Sequence, residues 1–239
     1  LATHEPDVFG FVHAETSTGA KQIDVPELTA AAHDHGALVV ADTVTSIGGV
    51  ELRVDEWGID VAYAGPQKCL SCPPGASPLT LNDAAMEKVL SREEDARSWY
   101  LDLSLLEEYW GDERAYHHTA PITSVYALRE GLRLVAEEGL EDRWDRHREI
   151  AGALKAGVQS MGLEMNAPDE YWLPALNAVR VPDEVDVNVV ISRLLDEYDI
   201  EIAGGLGDLA GDIWRIGCMG YSAKRRNVTY LLAALEETL

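Results

Sequence analysis

The sequence predicts an α/β protein, with a large domain built around a mainly parallel sheet and a small α+β domain at its C-terminal end. Three observations carry this. Residues 36–42 and 59–64 are continuous apolar runs, as in parallel strands covered on both faces. Residues 43–58 between them suffice for a crossover. Beyond Gly139 a long charged helix is followed by strand, helix, strand and helix, the order of a compact α+β unit. With 239 residues, of which 46% are hydrophobic, the chain can bury one large core or two smaller ones.

Residues 8–13, Val-Phe-Gly-Phe-Val-His, read as a short strand running into Ala-Glu-Thr-Ser-Thr-Gly. Hydroxyls beside glycine on a strand-end loop are suited to bond a phosphate or a substrate. Asp24 and Pro26 mark a helix start and Gly36 its end, with Leu28, Ala31 and Ala32 on its apolar side. His33 and His35 lack a third metal partner and are read as solvated. The strand at 36–42 closes on a carboxylate, Asp42. Gly65 and Pro66 break the strand at 59–64, which leaves Gln67 and Lys68 just past its C-terminal end. In open α/β sheets that edge is where ligands bind. Lys68 is one of five lysines beside fourteen arginines, and the stiff Pro73-Pro74-Gly75 turn follows it.

A strand at 79–81 and a helix at 83–90 come next, and residues 98–110 read as irregular, acidic and aromatic. Residues 124–138 place Val125, Leu128, Leu132 and Val135 on one helical face, the long connecting helix. Gly139 sets the boundary, so that residues 1–138 hold the C-terminal part of the large domain and residues 139–239 the small one. The latter reads as a helix at 141–161, a strand at 176–181, a helix at 186–198 and a closing helix at 227–239. Runs at 200–202 and 213–217 bracket a glycine-rich turn whose spacing is not a nucleotide fingerprint.

The net charge of −23 argues against nucleic acid and anionic membranes as partners. Scarce lysine beside retained arginine suggests adaptation to high intracellular salt; the alternative is an acidic cytosolic enzyme from a GC-rich genome. No run of 18 apolar residues exists, Leu1 reads as mid-domain sequence rather than a secretory signal, and the C-terminus carries no targeting tripeptide. A cytoplasmic location is expected. Cys69, Cys72 and Cys218 make no disulfide framework. Cys69-x-x-Cys72 matches a redox dithiol or half a zinc site, but no second pair exists and no metal is expected.

Asp42 and Lys68 can face one crevice from neighbouring strand ends. Separately, an Asp at a strand end is a turn or cap residue and a lysine is a solvated charge. Together they are what pyridoxal phosphate asks of a protein: a lysine that forms a Schiff base and an acid that pairs with the pyridine nitrogen. The acid keeps the ring cationic, and the displaced amine moves a proton between the substrate's Cα and the cofactor.

Residues 41–49, Ala-Asp-Thr-Val-Thr-Ser-Ile-Gly-Gly, with Trp-Gly-Ile-Asp at 57–60, Gly-Pro-Gln-Lys-Cys-Leu at 65–70 and Pro-Pro-Gly at 73–75, make the chain resemble the class V aminotransferases. The nearest subgroup is alanine–glyoxylate and serine–pyruvate aminotransferase; desulfurase relatives carry His where Gln67 stands. The resemblance implies the fold-type-I transferase architecture of pyridoxal-phosphate enzymes. It further implies that Lys68 binds the cofactor, Asp42 supports its ring nitrogen and Val44 packs the ring. Gln67 and Thr16 would hold the phosphate, although Ser is commoner at position 16. Tyr116 and Thr119 would reach across a homodimer to the partner's phosphate. Arg215 would anchor the substrate's α-carboxylate, its rival role being a strand-edge salt bridge. The implied reaction is a ping-pong transfer from alanine or serine to glyoxylate or pyruvate. The family's N-terminal part of the large domain, with its phosphate-cupping loop and ring-stacking aromatic, is missing from the sequence, so an uncovered sheet edge is expected. The rivals are a related lyase or desulfurase, which needs a nucleophilic cysteine on a mobile loop, and a catalytically silent fragment or interaction module.

Overall fold

The computed structural model describes residues 5–112 and 114–239; Leu1, read above as mid-domain sequence, lies outside them. In chain order the elements are β1 (Val8–Val12), a short hairpin of β2 (Ala14–Glu15) and β3 (Ala20–Lys21), α1 (Val25–Asp34), β4 (Leu38–Asp42), β5 (Val61–Tyr63), β6 (Leu79–Leu81) and α2 (Asp83–Leu90). Then come α3 (Leu103–Trp110), α4 (Ile122–Glu138), α5 (Leu140–Ser160), β7 (Leu176–Arg180), α6 (Val187–Tyr198), β8 (Ala203–Gly204), β9 (Ile213–Gly217) and α7 (Arg225–Thr238).

The larger sheet has the order β1-β4-β5-β6. β1, β4 and β5 run parallel and β6 is antiparallel, so the sheet is mixed with a parallel majority. β1 forms one edge, with Val8 and Val12 exposed. β4 is not equally covered on its two faces. Val39 and Ala41 are sealed, packing with Ala32 and Val25 of α1 and with Ile59 and Ala62, while Leu38, Val40 and Asp42 are half-buried. Asp60 locks this layer: its buried carboxylate accepts from the Val39 amide, from Asn82 and from His33 at 2.8 Å. His33 is exposed, as read, and is also tied to this carboxylate.

The second sheet has the order β7-β9-β8 and is antiparallel. Its apolar face packs on α5, α6 and α7 through Leu154, Val158, Val190, Leu194, Val179, Trp214, Ile216, Leu231 and Leu235. Each such side chain contributes about 1.5–3 kcal/mol on leaving water. The Trp214 indole also donates to the Val187 carbonyl.

Two expectations are corrected. Residues 103–110, read as irregular, form α3, because Asp102 caps the Ser104 amide and is itself bonded to Arg92. The third strand of the small sheet is Ala203–Gly204, inside the stretch read as a glycine-rich turn, and not residues 200–202. No helix among the described residues is long and apolar enough to cross a membrane.

The two sheets are stitched together. Gly19, at φ +73°, closes the β2–β3 hairpin, and its carbonyl accepts from the Leu173 amide at 2.9 Å. A Cβ on Gly19 would stand 2.9 Å from the Ala178 Cβ, so only glycine allows this docking. Asn166 adds a bond to the Thr18 carbonyl at 2.7 Å.

Candidate active site

Two parallel strands end at the same edge. Asp42 is the last residue of β4, and its Cα partner Tyr63 is the last residue of β5. The Val44 amide donates to Asp42 Oδ1 at 2.9 Å, the local turn that an aspartate favours at a strand end. The Tyr63 hydroxyl donates to Oδ2 at 3.0 Å. Past β5 the chain folds into a tight turn, with Ser71 N–H on the Lys68 carbonyl and Cys72 N–H on the Pro66 carbonyl. Gly65 is where this turn meets the Asp42 loop. A Cβ there would fall 2.8 Å from Val44 Cγ1 and 3.1 Å from Gln67 Oε1, so the bare backbone lets both side chains close in.

Asp42, Val44, Gln67 and Lys68 are thus carried at one sheet edge. Thr16 lies in the β2–β3 hairpin, which leaves β1 beside Asp42: the His13 amide donates to the Asp42 carbonyl at 3.0 Å. Gln67 is exposed, and Thr16 and Lys68 are half-buried. A cavity of about 620 Å³ lies behind the lysine turn, between Leu70, Ser71, Tyr221 and Lys224. None of the expected site residues lines it.

Arg215 stands on β9, the central strand of the small sheet, opposite Ala178 and Ala203. Directly opposed residues share a face, and Ala178 is the residue that Gly19 packs on. Arg215 therefore leaves its sheet on the side where the β2–β3 hairpin docks. Its Nε donates to the Gly204 carbonyl at 2.7 Å, and among the described residues it has no carboxylate within salt-bridge reach. The salt-bridge reading of Arg215 finds no partner there.

Tyr116 and Thr119 are hydrogen-bonded to each other at 3.1 Å. Tyr116 is 77% exposed, within an aromatic surface that includes Tyr109 and the 65%-exposed Trp110. The adjacent His117 and His118 side chains meet: their Nδ1 atoms are 2.8 Å apart, and His117 stacks on Trp99. Among the described residues no group of three or more His, Cys, Asp or Glu side chains is gathered to hold a metal.

The cysteines are buried and free. Burial pushes the Cys69 thiol up to about 12 and the Cys218 thiol up to about 11. Burial raises Cys72 as well. Cys218 falls one residue past β9 rather than within a strand. The thiol of Cys69 donates to the Thr45 carbonyl and that of Cys72 to the Leu70 and Ala127 carbonyls, so neither sulfur is free to react.

Residue-level reading missed the supports of this edge. Arg143 of α5 donates from Nε to the Gly48 carbonyl at 2.9 Å and from Nη2 to the Cys69 carbonyl at 2.7 Å. One guanidinium thereby grips the Asp42 loop and the Lys68 turn together, backed by Glu138. His147, a turn further along α5, accepts from the Gly220 amide at 2.8 Å, and the Tyr221 amide donates to Ser71 Oγ at 2.7 Å. The signal available was polar residues, Arg143 and His147, four apart on one face of an amphipathic helix. Tyr63 could have been found by pairing the two strands in register from their ends.

Residues 1–208 match the family model described as aminotransferase class-V. The chain is 43% identical over 98% of its length to (S)-ureidoglycine–glyoxylate transaminase of Bacillus subtilis, and 42% identical over its whole length to alanine–glyoxylate aminotransferase of Mus musculus. It spans 61% and 58% of those two proteins. Among solved structures, alanine–glyoxylate aminotransferase from Nostoc superposes with a TM-score of 0.95 at 48% identity, over 99% of this chain and 63% of that one. The ureidoglycine–glyoxylate aminotransferase of Bacillus subtilis superposes with a TM-score of 0.97 at 45% identity, over 100% of this chain and 61% of that one. A fold of two sheets with a lysine and an aspartate at one strand edge is the type-I architecture of pyridoxal-phosphate transferases. The chain belongs to the class V aminotransferase family, and within it is similar to the transaminases that take glyoxylate.

Proposed function

We propose that this chain carries the amine-transfer site of a pyridoxal-phosphate transaminase that passes an amino group from a small amino acid to glyoxylate. The observation that supports this most is a doubly bonded Asp42 at the end of β4, with Lys68 in the turn that follows its parallel neighbour β5, in a chain of this family. The residues fit the cofactor by their donor chemistry. An oriented carboxylate suits a pyridinium nitrogen, a primary amine suits an aldehyde, and amide and hydroxyl donors suit a phosphate. Pyridoxal phosphate, when bound, supplies an electron sink that makes the substrate's Cα–H bond acidic.

The chain's own residues do the rest. Asp42 keeps a positive charge on the ring nitrogen, with Val44 against the ring. Lys68 holds the cofactor and, once its amine is free, moves a proton at the substrate's Cα. Gln67 and Thr16 donate to the phosphate. Arg215 holds the α-carboxylate through the two guanidinium nitrogens not bonded to Gly204, a bidentate fit that fixes which Cα bond faces the lysine. The division of labour follows the boundary at Gly139, with cofactor residues before it and the substrate anchor after it.

Alanine is one donor, with glyoxylate as acceptor, and serine and pyruvate are the further pair to try. Ureidoglycine is a second donor reading, favoured by the similarity to the Bacillus subtilis enzyme. A second copy of the chain is the partner we assign to the exposed surface of Trp110, Tyr116 and Tyr126, which would bring Tyr116 and Thr119 to the other subunit's phosphate. The surplus of carboxylates points to a protein at home in the salt-rich interior of a cell. The desulfurase reading is disfavoured because all three thiols are buried and held protonated.

The test is absorbance. Adding pyridoxal phosphate to the chain is expected to give a band at the visible edge that Lys68→Ala loses. Single-turnover reactions with alanine, serine, (S)-ureidoglycine and cysteine should then bleach that band for the true donor. A band that persists in Lys68→Ala, or bleaching by cysteine alone, overturns the reading.

A further inference from the structure

We propose that Tyr63 is the positioning residue for Asp42, its phenol fixing the orientation of the carboxylate that meets the ring nitrogen. What Asp42 meets rests on the function proposed above; the contact between the two side chains does not.

The carboxylate is held at both oxygens. Val44 N–H occupies one lone pair of Oδ1 at 2.9 Å and the Tyr63 hydroxyl one lone pair of Oδ2 at 3.0 Å. Without the phenol, only the turn amide would restrain rotation about the Cβ–Cγ bond. With it, the carboxylate plane is set, and a further donor has only the remaining lone pairs to approach.

Strand register makes the contact possible. Asp42 and Tyr63 are Cα partners on parallel neighbours, so their side chains leave the same face of the sheet. The backbone under the phenol is pinned: the Tyr63 carbonyl accepts both the Thr43 amide at 2.9 Å and the Thr43 hydroxyl at 2.8 Å. Tyr63 thus reaches Asp42 from a rigid strand rather than from a loop.

The chemistry runs in one direction. Burial, with the adjacent Asp42 carboxylate, raises the phenol above its ordinary pKa, so it stays neutral and donates. His13 follows β1 and Lys68 follows β5 in the chain, and among the described residues neither bonds the Asp42 carboxylate. Burial, reinforced by Lys21, pushes His13 down to about 4, so it is uncharged at neutral pH. Tyr63 is then the side-chain donor that keeps Asp42 aimed.

The experiment uses the full chain with Tyr63→Phe, Asp42→Asn and the double variant. Phenylalanine keeps the ring and its packing, so the unloaded thermal midpoint should stay within about 2 °C of wild type. Without cofactor, the NMR resonance of the Asp42 carboxyl carbon should shift and broaden in Tyr63→Phe, as the carboxylate loses one of its two donors. With pyridoxal phosphate, Tyr63→Phe should bind about tenfold more weakly, and the pH midpoint of the visible band should shift. In the Asp42→Asn background the same substitution should change neither. An unmoved Asp42 resonance, or an equal effect of Tyr63→Phe in both backgrounds, overturns the proposal. If wild type binds no cofactor, the transaminase reading fails, and the Asp42 resonance alone decides the role of Tyr63.

Discussion

His13 and His147 are buried, and burial pushes both down to about 4 from an ordinary 6.5. His147 has a specific reason to stay neutral: its Nδ1 donates to the Arg143 carbonyl, leaving Nε2 to accept from Gly220. A proton on Nε2 would break that bond. Because the folded value lies below the unfolded one, the unfolded chain binds more protons between pH 6.5 and 4. Stability is therefore fully present above about 6.5 and falls as pH drops through that window, by up to about 1.4 kcal/mol per pH unit for each histidine. Urea unfolding at a series of pH values should show this slope, and His147→Gln should roughly halve it. At this scale the sequence was legible where chemistry is local. Asp42, Gln67 and Lys68 could be placed because strand ends and breakers sit beside them. Tyr63 and Arg143 were missed, since they act across strands or from 74 and 95 residues away.

Among the elements, the lysine turn and α5 depend on one another. Arg143 satisfies two buried carbonyls, and Arg146 and Arg143 together hold Glu138 below the usual carboxylate range. Arg143→Met would strand the Gly48 and Cys69 carbonyls without donors and remove half of the Glu138 pairing. A loss of about 3–5 kcal/mol in urea-derived stability is expected. Arg143→Lys should not recover it, since a single ammonium cannot serve both carbonyls and the carboxylate as the planar fork does. The long periodic helices α4, α5 and α6 were readable to within a few residues, because apolar spacing dominates there and glycines end the first two, while Asp186 caps the third. α3 was not. Its acidic and aromatic composition hides the helix, although Asp102 followed by Leu103 and Leu106 was a cap and an apolar face. β8 was misplaced because Ala203–Gly204 pairs with β9 through backbone alone.

For the molecule as a whole, a charge of −23 means self-repulsion that counterions must screen. Raising potassium chloride from about 0.05 M to about 2 M should raise the thermal midpoint by several degrees, as the Debye length shrinks to a few ångströms. A midpoint that is flat or falls with salt would refute the adaptation to salt. The α/β class and the two-sheet division were legible from the change in element order after Gly139. The stitching between the sheets was not, since Gly19 against Ala178, Arg143 against Gly48 and Ser71 against Tyr221 each join distant stretches. The tight fit of Gly19 on Ala178 has a bearing on which residues the seam between the sheets can hold. The hairpin that follows β1 lies so close to β7 that a single added methyl at position 19 would stand 2.9 Å from the Ala178 Cβ. Gly19→Ala would therefore have to push one sheet off the other, and with it part the hairpin that carries Thr16 from the strand opposite Arg215.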